Sequence, residues 1–251
     1  MPVLYKRVKT KHNIDFITRT KCFYYNPANT KRKRGIRRYK TGEKKAETNK
    51  RNSYLKRKYE LFNNFDVGDW WITLTEREVM SAQEAHQNMT RAISLLRKAC
   101  KRKGIQLIYY AKTEAGECSD VRVRPHHHLI IKNTDPAIVG MLMQYWQSYG
   151  NVSAIKPIYN ITDGRLITYF LDGGDHKDLD FEKYSHSRNL VQPEVETRIY
   201  PHESFRTTPR PPKCEYGYKY VIRNLYNGFP DQDGFTYQEY ELIKVVDVQQ
   251  E

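Results

Sequence analysis

Arg124-Pro125-His126-His127-His128-Leu129-Ile130-Ile131-Lys132-Asn133 reads as a single β-strand, an apolar run entered through Pro125 and left at Asn133. In a strand, residues i and i+2 point to the same face. His126 and His128 therefore project together, with backbones roughly 6–7 Å apart, while His127 turns to the opposite face with Leu129 and Ile131. Two imidazoles at that spacing can converge on one divalent cation, but a site needs a further donor. Glu114 ends the preceding predicted strand, Ile105–Glu114, and antiparallel pairing would bring it beside the histidines. Glu117, on the connection between the strands, is the alternative. A mixed imidazole and carboxylate set suits Mn²⁺ or Mg²⁺, with Zn²⁺ also open. The competing reading is a chance histidine cluster on a polar surface.

Working outward, Asp69–Thr75 is rich in strand formers (Trp70, Trp71, Ile72, Thr73, Leu74). Ser81 and Glu84 form a capping-box pattern, predicting a helix to about Lys103. Its apolar face is Ala85, Met89, Ala92, Ile93, Leu96, Ala99 and Cys100, and Gly104 ends it. Pro136 opens a second helix with Ile138, Met141, Leu142, Tyr145 and Trp146 on its apolar side. Val152–Tyr159 is a further strand and Asp163–Leu171 a third helix. The order strand, helix, strand, strand, helix, strand, helix describes an α+β fold: an antiparallel sheet with its helices on one face and the other face left open. Beyond it, Glu215–Asn224 and Phe235–Val248 suggest a C-terminal β-hairpin. The expected organisation is an N-terminal arm with a helix over 1–62, a central domain over 63–195 and a β extension over 196–251.

The formal net charge is +14 over 251 residues, and it is concentrated at one end. Residues 1–60 hold 20 Lys/Arg against 4 Asp/Glu. Residues 1–50 read as a mostly irregular basic arm with a short extended piece at Asp15–Thr18, followed by a helix from about Thr48 to Phe62. Arg32, Lys33, Arg34, Arg37 and Arg38 have almost no apolar residues among them, which argues against a membrane face and for a nucleic-acid partner or a solvated tail. No apolar run approaches the roughly 18 residues of a membrane span. The four cysteines are scattered, without zinc-finger spacing or a disulfide framework. The N-terminus lacks the apolar core of a signal peptide, and no nucleotide-binding loop is evident. The expectation is a protein of a reducing cytoplasm.

Pro125-His126-His127-His128-Leu129-Ile130-Ile131 resembles the His-hydrophobe-His signature of the HUH endonuclease superfamily, with His127 where a bulky apolar residue is usual. Trp71-Ile72-Thr73-Leu74-Thr75 resembles the first motif of rolling-circle replication initiators. Asn64-Phe65-Asp66-Val67-Gly68-Asp69 with the basic helix before it is similar to the approach to that strand in bacterial phage and plasmid initiators. Lys183-Tyr184-Ser185-His186-Ser187-Arg188-Asn189-Leu190 is similar to a stretch that follows their nucleophile motif. The resemblance covers about residues 48–195 and implies a ferredoxin-like or RRM-like sheet. It also implies a nucleophilic tyrosine on the helix after the fourth strand, where Tyr169 stands. A lysine often follows that tyrosine by three residues; here the position is Asp172, with Lys177 and Lys183 as possible replacements.

The activity implied is metal-dependent, site-specific nicking and rejoining of single-stranded DNA through a 5′-phosphotyrosine, leaving a 3′-OH primer. The metal would be held by His126, His128 and Glu114. Arg122, Arg124 and Arg188 would help to hold the phosphate. Single-stranded origin DNA, a host polymerase and a host helicase are the implied partners, and a bacterial host cytoplasm the implied location. Tyr39, Tyr54, Tyr59, Trp70 and Trp71 are candidates for base stacking, with core packing the rival reading for each. A relaxase or a transposase of the same superfamily, or a non-catalytic nucleic-acid-binding protein on the same fold, are the alternatives.

Overall fold

The computed structural model describes residues 3–21, 43–115, 117–118, 121–122, 124–172, 181–200, 208–228 and 237–247. The chain begins with β1 (Val3–Lys9), β2 (Ile14–Lys21), α1 (Glu43–Asn64) and β3 (Trp70–Glu76). Then come α2 (Ala82–Arg102), β4 (Tyr109–Ala115), the short β5 (Glu117–Cys118) and β6 (Val121–Arg122), and β7 (His126–Ile131). It continues through α3 (Ala137–Trp146), β8 (Gly150–Pro157), α4 (Arg165–Asp172) and β9 (Phe181–His186), and ends with β10 (Glu194–Tyr200), β11 (Tyr218–Gly228) and β12 (Tyr237–Val246). Two compact units result: Glu60–Val191, and Met1–Tyr59 together with Gln192–Glu251.

The central unit is the predicted α+β fold, a five-stranded antiparallel sheet in the order β8-β3-β7-β4-β9. The Ser81 capping box forms in both directions, a reciprocal pair worth about 1 kcal/mol at a helix N-terminus. The seven residues α2 buries are those its 3.6-residue period selects, Ala85 through Cys100. They pack with α3 on one sheet face, where Leu96, Leu129, Ile131, Leu142 and Trp146 are almost wholly excluded from solvent. Gly150 lets β8 close on β3: a Cβ there would stand 2.0 Å from the Thr75 carbonyl oxygen.

The expectation of helices on one face holds for α2 and α3 and fails for α4. Phe170 meets Trp71 at 5.7 Å and Tyr110 at 6.0 Å between ring centroids. Both rings belong to the face opposite α2. The cause is in the sequence of α4: Ile167, Phe170 and Leu171 form a narrow buried stripe, and the aromatic positions of that face give it something to cover. The face expected to stand open is therefore partly roofed by a helix.

The N-terminal segment departs further from the expected irregular arm. Residues 3–9 and 14–21 are two full strands in a second five-stranded antiparallel sheet, ordered β10-β1-β2-β12-β11. The expected arm and the expected C-terminal hairpin share this sheet. Only a short extended piece at Asp15–Thr18 was legible in β1 and β2, because their outer neighbours, β10 and β12, are remote in sequence and many of their residues are polar. Lys9 pairs with Glu194 at 3.2 Å and Glu196 at 2.6 Å, and Arg7 pairs with Asp15 and donates to Tyr220 Oη at 3.0 Å. Some of the N-terminal charge is thus structural. Arg32, Lys33, Arg34, Arg37 and Arg38, with Tyr39, lie outside the described residues.

Tyr59 at the end of α1 is buried against Phe16, 4.8 Å between centroids, so it packs rather than stacks on a base. Glu241 is 4% exposed and accepts from Lys58 Nζ at 3.0 Å, Arg223 Nε at 2.9 Å and Asn224 Nδ2 at 3.0 Å. Burial alone would raise its carboxyl; these donors, Lys58 foremost, outweigh burial and hold it below the ordinary carboxylate value. A depressed folded value stabilises above the unfolded pKa of about 4.3, and that stability is lost as pH falls through the folded value. Glu241→Gln should therefore cost about 2 kcal/mol at pH 7. In urea melts the gap to wild type should narrow below about pH 4; a gap constant with pH would show that the charge is not what stabilises.

Among the described residues no helix is long and apolar enough to cross a membrane.

Candidate active site

The register of β7 fixes the site. His126 stands opposite Glu114 on β4 and Thr75 on β3, and His128 opposite Lys112 and Thr73. These residues share the α4 face of the sheet. His128 Nε2 lies 3.3 Å from Glu114 Oε2, and His128 Nδ1 lies 3.3 Å from Thr73 Oγ1. The register sets both histidines and Glu114 on one face, with His128 in contact with Glu114.

Lys112 was not anticipated. It is wholly buried, with Nζ 2.6 Å from Glu114 Oε1 and 3.4 Å from the Leu171 carbonyl at the end of α4. Burial would raise the Glu114 carboxyl, but His128 and Lys112 together hold it below its usual value. Both Lys112 and His128 are close, yet neither is aligned as a hydrogen bond, and the Glu114 oxygens are shut off from solvent. Such a carboxylate has acceptor capacity to spare. That capacity, with two imidazoles on the same face, is a donor set that fits a divalent cation. Among the described residues the donors do not close into a formed cage, because Glu114 is turned onto Lys112.

His127 occupies the other face, as the alternation requires. It is fully buried, its Nδ1 3.0 Å from Thr113 Oγ1 and its Nε2 3.2 Å from Glu76 Oε1, with Trp146 edge-on at 5.1 Å. Burial pushes its imidazole below the ordinary histidine value, so it stays neutral. Glu76 in turn accepts from Asn88 Nδ2 at 3.3 Å. A polar side chain thus fills an apolar position because its partners satisfy both ring nitrogens.

Tyr169 projects from α4 with 45% exposure, its ring 6.1 Å from His128 and 5.8 Å from Trp71. It lines an open cleft of about 410 Å³ with Trp71, Leu166, Tyr159 and Lys156. Tyr159 is 79% exposed. Trp71 is 9% exposed and packs as a core residue while bounding this cleft; Trp70 packs against the α2 side. Lys156 is the second residue the sequence reading missed. It sits opposite Trp71 on β8, exposed and without an ion-pair partner among the described residues.

Other expected residues fall elsewhere. Lys183 sits in register with Thr113, in the alternate set from the histidine pair. Lys177 lies outside the described residues. Arg122 pairs in register with Glu117 in the separate two-stranded β5–β6 ladder. Arg124 is exposed just before Pro125. Arg188 follows β9 and lines a separate cleft with Arg97 and Lys101. Tyr184 donates from Oη to the Leu171 carbonyl at 2.9 Å, and is thus engaged in holding α4.

No match to the chain is found among curated proteins or solved structures. The family model for the replication-associated protein ORF2/G2P matches residues 69–224. That span is more than half of the chain and contains Trp71, Lys112, Glu114, His126, His128, Lys156 and Tyr169. The chain therefore belongs to the replication-associated protein ORF2/G2P family.

Proposed function

We infer that the chain initiates replication by cutting and rejoining single-stranded DNA through Tyr169. The observation that carries this reading is an exposed tyrosine ring held 6.1 Å from His128, on the face where His126 and Glu114 also stand. His126, His128 and Glu114 would hold a divalent cation, Mn²⁺ or Mg²⁺, which when bound supplies Lewis-acid charge to a phosphate oxygen.

The chain's own residues do the rest. Tyr159, 79% exposed, gives an unpaired base a π-face beside Tyr169. The Tyr169 oxygen attacks phosphorus, the P–O3′ bond breaks, and the phenolic proton ends on the 3′ oxygen. The product is a 5′-phosphotyrosine and a free 3′-OH. Return of that hydroxyl reverses the step, so joining needs no nucleotide. Lys156, on the wall of the same cleft, takes the part of the cation that Asp172 does not supply. The 3′-OH serves a host polymerase as primer, and strand separation falls to a host helicase.

The test uses the full chain with Mn²⁺ and 3′-labelled single-stranded oligonucleotides tiled across the replicon. A labelled band that survives denaturation, and that EDTA prevents, is expected for one sequence. Binding throughout with no such band would instead favour a non-catalytic DNA-binding role, the reading to which Asp172 and the Lys112–Glu114 pair lend weight.

A further inference from the structure

Ser187 lies at the opposite end of β4 from Glu114. Its N–H donates to the Tyr109 carbonyl at 3.1 Å, and its Oγ accepts from the Tyr109 N–H at 3.2 Å. Five residues of strand separate Tyr109 from Glu114, or roughly 17 Å. A cleft of about 490 Å³ opens at this far end, lined by Arg97, Lys101, Gln106, Arg188 and Asn189 among others.

The cleft is a built feature. Asn189 Nδ2 donates to the Leu107 carbonyl at 3.3 Å, which fixes the segment bearing Arg188. Arg97 Nη2 donates to Tyr109 Oη at 3.1 Å, which holds the guanidinium at the rim. Lys101 and Arg188 are exposed and make no ion pair with any described carboxylate. No acidic residue lines the cleft. Cations in the last turn of α2 complement the helix dipole, which accounts for Lys101. It does not account for Arg188, which comes from another element, or for Arg97, more than a turn earlier. Three cations line this cleft with no carboxylate among its lining residues, an arrangement that suits a polyanion.

The lining decides which polyanion. Single strands are held by aromatic stacking as well as charge. The Tyr169 cleft has three aromatic rings; this cleft has none. Guanidinium, ammonium and amide groups without a stacking surface match the phosphates of a duplex, whose bases are already stacked.

We propose that the Arg97–Lys101–Arg188 cleft binds the phosphate backbone of duplex DNA. Its placement relative to the cut rests on the reading of the Tyr169 site as the nicking site: the cleft stands at the far end of β4, on the α2 side of the sheet. The duplex site itself does not depend on the chemistry.

The test compares the full chain with Lys101→Ser/Arg188→Ser, and with Arg210→Ser/Lys213→Ser, which removes the same charge from exposed positions of the other unit. Probes are a 20-base-pair blunt duplex and a 20-nucleotide single strand, and affinity is read across a salt series. The first double variant should lose about tenfold on the duplex, with a log–log salt slope shallower by about 1.8 for two lost phosphate contacts. On the single strand its affinity should stay within about twofold, and the control variant should stay within about twofold on both probes. Equal losses in the two double variants, equal losses on the two probes, or an unchanged slope would overturn the proposal. No covalent adduct is read, so the absence of nicking and the absence of a duplex site are separate results.

Discussion

Tyr169→Phe should abolish the covalent DNA adduct while leaving single-strand affinity within about twofold. The substitution removes one oxygen from a ring that keeps its contacts. Phenylalanine can still meet Trp71 and His128 edge-on, and at 45% exposure the lost hydroxyl leaves no buried group unsatisfied. Stability should change by no more than about 0.5 kcal/mol, the ordinary range for a surface change. The loss of adduct is all-or-none, because no other group supplies the attacking oxygen. An undiminished adduct in this variant would refute the assignment. Tyr184 would then be tested next, although its hydroxyl is already committed to the Leu171 carbonyl.

The second large effect concerns Lys112. Lys112→Met keeps the aliphatic bulk but leaves the Glu114 carboxylate, 2% exposed, without its nearest cation. Breaking a buried pair from one side costs about 3–5 kcal/mol. For a chain of this size that lowers Tm by roughly 6–20 °C. The same change frees Glu114 to serve as a ligand. Mn²⁺ should therefore raise the stability of the variant by about 2.7 kcal/mol at a hundred times its dissociation constant, and that of wild type by less. Thermal melts with and without Mn²⁺ read both effects. A variant as stable as wild type, or one whose Tm ignores Mn²⁺ while wild type responds, would refute the view that Lys112 and a metal compete for Glu114.

The legible parts of the molecule were those with local periodicity. The buried stripe of α2 follows from spacing alone, and so does the division of the His126-His127-His128 triplet between two faces. Glu114 was legible because a strand end and an antiparallel turn leave few choices of register. Lys112 was not, since a lysine two residues before a carboxylate reads as a solvated position. Only the roof of α4 makes it a buried one. Lys156 was hidden for a related reason: nothing in its neighbourhood of the sequence announces that β8 lies beside Trp71. Arg188 was noticed but assigned to the wrong end of the sheet, because β9 was not recognised and its register could not be counted. β1 and β2 escaped because neither face of either strand is uniformly apolar.

The sheet that joins the two ends of the chain has a consequence for synthesis. Residues 60–191 form a continuous stretch, so the sheet bearing the histidines can close as soon as that stretch has left the ribosome. β1 has no such freedom, since its ion-pair partner Glu194 lies 185 residues downstream of Lys9. At 5–20 residues per second, roughly 10–40 s pass between their appearances. Through that interval β1 and β2 have only each other, and a lone two-stranded hairpin is marginal in water. The histidine sheet is complete once β9 (Phe181–His186) has emerged, while β2 still lacks its neighbour β12 (Tyr237–Val246). The order of assembly is inside first and ends last.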